Sequence, residues 1–208
     1  MRSAFMKYAL AGALAVSLAA GGAVVAQSAL TTTPSEVTAG AYDLDASHGK
    51  ITWSVTHFGL STYTGQFVNV KAELKLDPAN PSASTLTATI PLTDVAPNSD
   101  GLKAHLQTPD FFDTANHPNA TFVSRSVTVD PSNASKATVV GDLTLKGVTK
   151  PVTIAVTFNG AGEVMGAYKA GFDGEATIKR SDFGVNYAVP AVSDEVKLHI
   201  EGEFAIKK

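Results

Sequence analysis

Apolar and polar positions alternate from residue 51 onward. Ile51, Trp53, Val55 and His57 share one parity, while Thr52, Ser54 and Thr56 share the other. This is the two-residue period of a strand with one apolar face. Gly59 and Gly65 bracket a turn or bend, after which Val68, Val70, Ala72, Leu74 and Leu76 take one face and Asn69, Lys71, Glu73 and Lys75 the other. Asp77-Pro78-Ala79-Asn80-Pro81 ends that strand, because proline cannot donate to a ladder and Asp and Asn favour turns. Leu86, Ala88 and Ile90 begin a third strand. Val123, Val127 and Val129 mark a fourth, with Phe122 on the opposite parity. A fifth over 137–146 carries Val139, Leu143 and Leu145. Residues 147–151 turn into a sixth with Val152, Ile154, Val156 and Phe158. Tyr168, Ala170, Phe172, Gly174, Ala176 and Ile178 define a seventh, and Val196, Leu198, Ile200, Phe204 and Ile206 an eighth. The one interruption lies between strands three and four. There the spacing of Leu102 and Leu106 predicts a short helix over 100–107, placed across a barrel mouth or against the barrel wall. Phe111 and Phe112 follow it.

Eight antiparallel strands can close into a barrel, which removes exposed edges and can enclose one small ligand. The predicted fold is therefore all-β, an eight-stranded antiparallel barrel with a short helix in the connection between strands 3 and 4. Residues 1–26 read as a cleaved secretory signal, with Arg2 and Lys7 ahead of an apolar stretch and Val24 and Ala26 suiting the −3 and −1 positions. Cleavage two or three residues later is the alternative. Residues 27–40, polar and punctuated by Pro34 and Gly40, read as a flexible leader, and 41–208 as a single domain. The expected location is the periplasm or the medium.

Among 208 residues there is no cysteine, so neither a disulfide nor a lipidated cysteine can contribute and the core alone must hold the domain together. Loss of the signal moves the formal charge from −3 to −5. A mildly acidic chain carries no electrostatic footprint for nucleic acid. No HExxH, paired CxxC, GxSxG elbow, P-loop or dinucleotide fingerprint occurs, and no metal site is expected. Small residues on the strands (Ala72, Ala88, Gly141, Ala155, Ala170, Gly174, Ala176) leave room inside a barrel. Mixed with Trp53, Phe58, Phe67, Phe122, Tyr168 and Phe172 they would line an apolar cavity, or else interdigitate as ordinary packing.

Polar candidates sit among these. His57 ends the first apolar face, either orienting a ligand headgroup or hydrogen-bonded at a strand end. His105 lies near Asp110, and a carboxylate can fix an imidazole tautomer and aim its other nitrogen at a phosphate or hydroxyl; a loop anchor is the other reading. Arg180 offers a bidentate contact to a phosphate, or an ion pair with Asp182 or Asp173. Asn186 offers an amide to a ligand or to the loop backbone.

Several motifs in order give the chain a family likeness. They are Tyr42-Asp43-Leu44-Asp45 with His48, His57-Phe58-Gly59 followed by Gly65-Gln66-Phe67, and His105-Leu106 leading to Asp110-Phe111-Phe112-Asp113 with Pro118 and Phe122. Residues 141–152 and Arg180-Ser181-Asp182-Phe183-Gly184-Val185 complete the set. Across 42–208 the chain resembles the YceI-like family. The resemblance implies an extended, lipocalin-like barrel with an apolar tunnel that holds a polyisoprenoid, an isoprenoid quinone or a related amphiphilic lipid, with the His105 segment covering or shaping the pocket. The lipid-binding candidates are Trp53, Val55, His57, Phe67, His105, Phe111, Phe112, Phe122, Tyr168, Phe172, Arg180 and Asn186. No other cofactor is implied. Relatives often carry Arg-Asp ahead of the His-Leu, where this chain has Leu102-Lys103, so headgroup preference is expected to differ. Expected partners are the lipid itself, a membrane in transient contact, and a second copy as a homodimer where an apolar face stays exposed. An enzyme using His105, Asp110 or Arg180 on an isoprenoid-like substrate is the alternative, and a filled interaction barrel a third reading.

Overall fold

The computed structural model describes residues 30–208; the segment read as a secretory signal lies outside them. Among the described residues no helix is long and apolar enough to cross a membrane. The described residues form eleven strands and one short α-helix. In chain order the strands are β1 (Gly40–Leu44), β2 (Lys50–His57), β3 (Ser61–Phe67), β4 (Lys71–Leu76), β5 (Thr85–Pro91) and β6 (Val95–Pro97). After helix α1 (Asp100–Leu106) come β7 (Asn119–Asp130), β8 (Asn133–Leu145), β9 (Val148–Val164), β10 (Ala167–Lys179) and β11 (Glu195–Ile206). Every pairing between these strands is antiparallel.

Eight strands close a ring in the order β1-β4-β5-β7-β8-β9-β10-β11, because β11 also pairs with β1. The long β11 uses residues 204–206 against β1 and residues 197–201 against β2. From β2 the ladder continues to β3 and then β6. The eight-stranded antiparallel barrel is the predicted one, but the alternation did not reveal β1, β3 or β6, and β1 takes the place in the ring that the alternation gave to β2. β3 was expected as a turn or bend between Gly59 and Gly65; Tyr63, Gly65 and Phe67 share one parity, but the alternation is short and set among Ser, Thr and Gly, and the ladders with β2 and β6 make it a strand. β1 is five residues long but carries Tyr42 inward, fully buried, and without it the ring stays open.

The parity conflict at Phe122 has a local cause. Ser124 pairs with Gly141 and Ser126 with Val140, so Arg125 is an extra residue on β7. Such a bulge reverses the in–out alternation beyond it. Phe122 faces inward before the bulge, and Val127 and Val129 line the interior after it. Val123, grouped with the valines by sequence, is 51% exposed. Ala155 is likewise on the outer surface, since its neighbours Ile154 and Val156 take the inner positions.

Helix α1 begins at Ser99, whose hydroxyl accepts from the Leu102 amide at 3.4 Å. Leu102 and Leu106 pack on Trp53 and Val95, as their spacing required. The helix therefore closes one end of the barrel. Residues 30–40, read as a flexible leader, lie against the other end, where Thr31 exchanges backbone hydrogen bonds with Ala161 and Val37 is buried.

Candidate functional site

Between the two ends the barrel encloses a cavity of about 360 Å³, within the ~300–1,000 Å³ span of small-ligand pockets. Its wall is apolar. Leu74, Leu86, Val127, Val139, Val156 and Ile200 come from six different strands, and Phe122, Phe158, Phe172 and Phe204 add rings. Ala72, Ala88, Gly174 and Ala176 lie on the same wall, so four of the small residues singled out by pattern do face the space. Gly141 leaves no room, because the Phe122 ring lies where its side chain would be. Ala170 is fully buried among Tyr42, Phe158, Ala161 and Phe204.

One end of the cavity is sealed by packed side chains. Leu92, Leu145, Phe183, Phe67 and Phe112 belong to the hydrophobic cluster below it, and the rings of Phe67 and Phe112 sit 5.7 Å apart. At the other end the wall reaches exposed residues: Ser35, Thr85, Ala134 and Lys136. This is the mouth, framed by the turn from β4 to β5, the hairpin of β7 and β8, and residues 34–37 ahead of β1.

Against this geometry the candidates separate. Phe122 and Phe172 lie on the cavity wall, Phe172 with its ring 5.5 Å from Phe158 and 6.1 Å from Phe204. Trp53 does not. It is buried with Val95 and Leu106 beneath α1, stacked on Tyr63 at 6.0 Å, with its ring over Gly65 where a side chain would clash. Ile51, two residues earlier on the same face, reaches the cavity instead. Val55, Phe111 and Phe112 pack into that end cluster, and Phe67 bridges it to the barrel core. His57 is exposed at the end of β2. Tyr168 lies outside the wall, its hydroxyl accepting from the Thr38 amide at 3.1 Å.

The polar candidates are gathered at the sealed end. His105 Nε2 meets Asp110 Oδ2 at 3.1 Å, as the sequence spacing suggested, but its ring is flanked by Phe111 at 4.9 Å and Tyr187 at 4.8 Å. No residue of α1 or of the loop after it lines the cavity, so the segment forms the floor's outer support and does not cover the pocket. Arg180, 6% exposed, is committed entirely to backbone. Its Nε donates to the Ser193 carbonyl at 2.9 Å, Nη1 to those of Val185 and Tyr187 at 3.0 and 2.7 Å, and Nη2 to that of Val192 at 2.9 Å. Neither a phosphate contact nor an ion pair with Asp182 or Asp173 describes it. Burial holds its pKa below the usual value, offset by the nearby Asp194 charge. Asn186 is exposed in the loop that Arg180 ties down. The polar groups that border the cavity include Ser35, Asp77, Ser84, Thr85, Ser135 and Lys136 at the mouth, and Lys50, Asp173 and Glu201 elsewhere on the wall. Sequence reasoning missed them because they sit in turns or near strand ends, where short or absent periodicity marks no direction.

A second polar cluster lies outside. Asp45 and Glu203 share the Lys169 ammonium at 2.9 and 3.2 Å, and His48 Nδ1 is 2.9 Å from Asp45. The Ser47 hydroxyl first, then Lys169 and His48, hold the Asp45 carboxyl well below the usual carboxylate range. Three ligand-type side chains converge there, but a cation of the protein already occupies the space between the carboxylates.

A closed antiparallel barrel around an apolar cavity defines a lipocalin-like binding fold. Residues 42–204 match the YceI-like domain, and the chain belongs to that family. A UPF0312 protein of Pseudomonas aeruginosa is 37% identical over 162 residues, covering 77% of this chain and 83% of the relative. The crystal structure of Burkholderia cenocepacia BcnA shares the fold with a TM-score of 0.69 at 27% identity, covering 77% of this chain and 98% of that one. A structure described as a polyisoprenoid binding domain from Saccharophagus degradans has the same fold, with a TM-score of 0.60 at 14% identity over 82% of this chain and all of that one.

Proposed function

We propose that the protein is an exported carrier that holds the tail of an amphiphilic lipid inside its barrel, with a long isoprenoid or isoprenoid quinone as cargo. The observation that carries this reading is the cavity itself: about 360 Å³, walled by Leu, Val, Ile and Phe side chains, sealed at one end and opening at the other beside polar residues. Moving apolar surface from water into such a wall is favourable by roughly 25 cal/mol per Å², before the costs of ordering the tail. A headgroup would remain at the mouth, near Ser35, Ser84 and Lys136, and not beside His105 or Arg180. The polyisoprenoid-binding description of the Saccharophagus domain and the signal-like residues 1–26 support the same reading. Transient contact with a membrane follows from the need to load and release such a cargo.

Native mass spectrometry of the mature protein from its own host, followed by lipid extraction, tests this. A bound isoprenoid lipid near one per protein is the expected result. A protein that emerges empty and takes up no member of a polyprenyl and quinone panel would sink the proposal.

A further inference from the structure

The cavity's mouth is bordered by a segment that precedes the residues matched to the family domain. The match to that domain starts at Tyr42, yet Pro34, Ser35 and Val37 form part of the cavity wall, alongside Pro78 and Pro81 of one turn and residues 134–137 of β8. Building on the cargo reading above, we propose that residues 31–38 form a displaceable cap on this mouth, which governs how fast an apolar ligand enters and leaves.

The segment is held at both ends and only lightly between them. At one end the Thr31 amide donates to the Ala161 carbonyl at 2.8 Å and the Ala161 amide to the Thr31 carbonyl at 2.9 Å. At the other, Gly40 enters β1, where the closed sheet begins. Between these points the chain makes a single 3-10 turn at Pro34–Glu36 and buries one side chain, Val37, 7% exposed against Tyr42, Phe158, Ala161, Ala170 and Phe204. The Thr38 amide donates to the Tyr168 hydroxyl, and the Tyr42 hydroxyl donates to the Thr38 carbonyl. Segments with few buried apolar contacts open locally at free energies far below that of global unfolding. Opening here exposes one valine and breaks one isolated bridge and the two hydrogen bonds of Thr38, while the ring of eight strands stays intact. The opposite end of the cavity is filled by packed rings and leucines, which leaves the mouth beside the cap as the open end.

The absence of cysteine from the chain permits a reversible lock. Thr31 and Ala161 are a hydrogen-bonded antiparallel pair, whose Cα atoms lie about 5.5 Å apart, within the span a disulfide bridges. The double variant Thr31→Cys/Ala161→Cys is compared oxidised and reduced, beside Val37→Asp, which sets a charge where the cap packs. The probe is farnesol carrying a nitrobenzoxadiazole fluorophore, and release is timed by stopped flow on mixing with excess unlabelled farnesol.

Oxidation is expected to slow release and reduction to restore it in the same molecules. Val37→Asp is expected to speed release about tenfold, the change that follows from losing the burial of one valine in the closed state. Uptake by Val37→Asp alone, with none by the native protein, also supports a cap that plugs the mouth. Equal release rates in the oxidised and reduced forms overturn the cap while leaving the cargo reading standing. No uptake by any form removes the cargo reading, and the cap with it.

Discussion

Arg180 is a cation used as a scaffold. Its guanidinium gathers four carbonyls from residues 185–193 and so holds the loop between Phe183 and β11 against the sealed end. Lysine keeps the charge but lacks the planar fork, and each buried carbonyl left unpaired costs about 1–3 kcal/mol. Arg180→Lys should therefore lower stability by about 3 kcal/mol or more, read as a fall in Tm, with ligand affinity of the folded protein unchanged; a weakened headgroup interaction at native stability would return Arg180 to the binding site. Asp45 supplies a pH dependence. Its folded pKa is depressed, chiefly by the Ser47 hydroxyl and then by Lys169 and His48, so its contribution is complete above the unfolded carboxylate value and is lost as pH falls through the folded one. Asp194, depressed by its hydrogen bond from Ser181, acts in the same sense. Tm should fall as the solution is acidified below the ordinary carboxylate range. Asp45→Asn should flatten that dependence, and an unaltered profile in the variant would assign the acid sensitivity elsewhere.

At the scale of elements, the bulge at Arg125 determines which side chains of β7 face the cavity. Phe122 and Gly141 are the pair that depends on it, since the ring occupies the place of the missing side chain and the Val123 carbonyl lies 2.6 Å from where a Cβ would stand. Overpacking of this kind costs about 1–3 kcal/mol. Gly141→Ala should show that loss in urea unfolding, and a neutral substitution would mean that the ring moves aside freely. β2 divides its apolar face between two compartments, with Ile51 on the cavity and Trp53 in the cluster under α1. Trp53→Ala should therefore cost about 3–5 kcal/mol of stability without weakening tail binding in the folded fraction. Reduced affinity at unchanged stability would move Trp53 to the cavity wall.

For the whole molecule the decisive quantity is the space left inside the barrel. Ala176 lies on its wall, and Ala176→Phe would project a ring into the volume that a tail needs. Binding of a labelled isoprenoid should be lost while the circular dichroism spectrum stays that of the native barrel; full affinity in this variant would place the ligand outside the cavity. With a volume of about 360 Å³, affinity should climb by about 0.8 kcal/mol for each buried methylene and level off once the tail fills the barrel. A titration series of increasing chain length reads that plateau directly.

Alternation along the chain was enough to specify most of the barrel's strands, the short helix and the apolar interior, because a side chain's direction in a strand depends only on its position in a two-residue period. That period placed Phe172 toward the interior, and the four-residue helical spacing located Leu102 and Leu106 on one face of α1. The alternation did not recognise β1, β3 and β6, short strands confirmed by their ladder partners, or the reversal at Arg125, which exists only in the register with β8. Nor did it separate the two ends of the barrel. His105, Arg180 and Asn186 looked like headgroup contacts because they are polar residues beside apolar strands, but the order in which the ring closes sends them to the sealed end and brings Ser35, Ser84 and Lys136 to the mouth. Periodicity fixes whether a residue faces in or out; which end of an enclosed space it meets, and whether that space is filled, depends on packing between residues far apart in the chain.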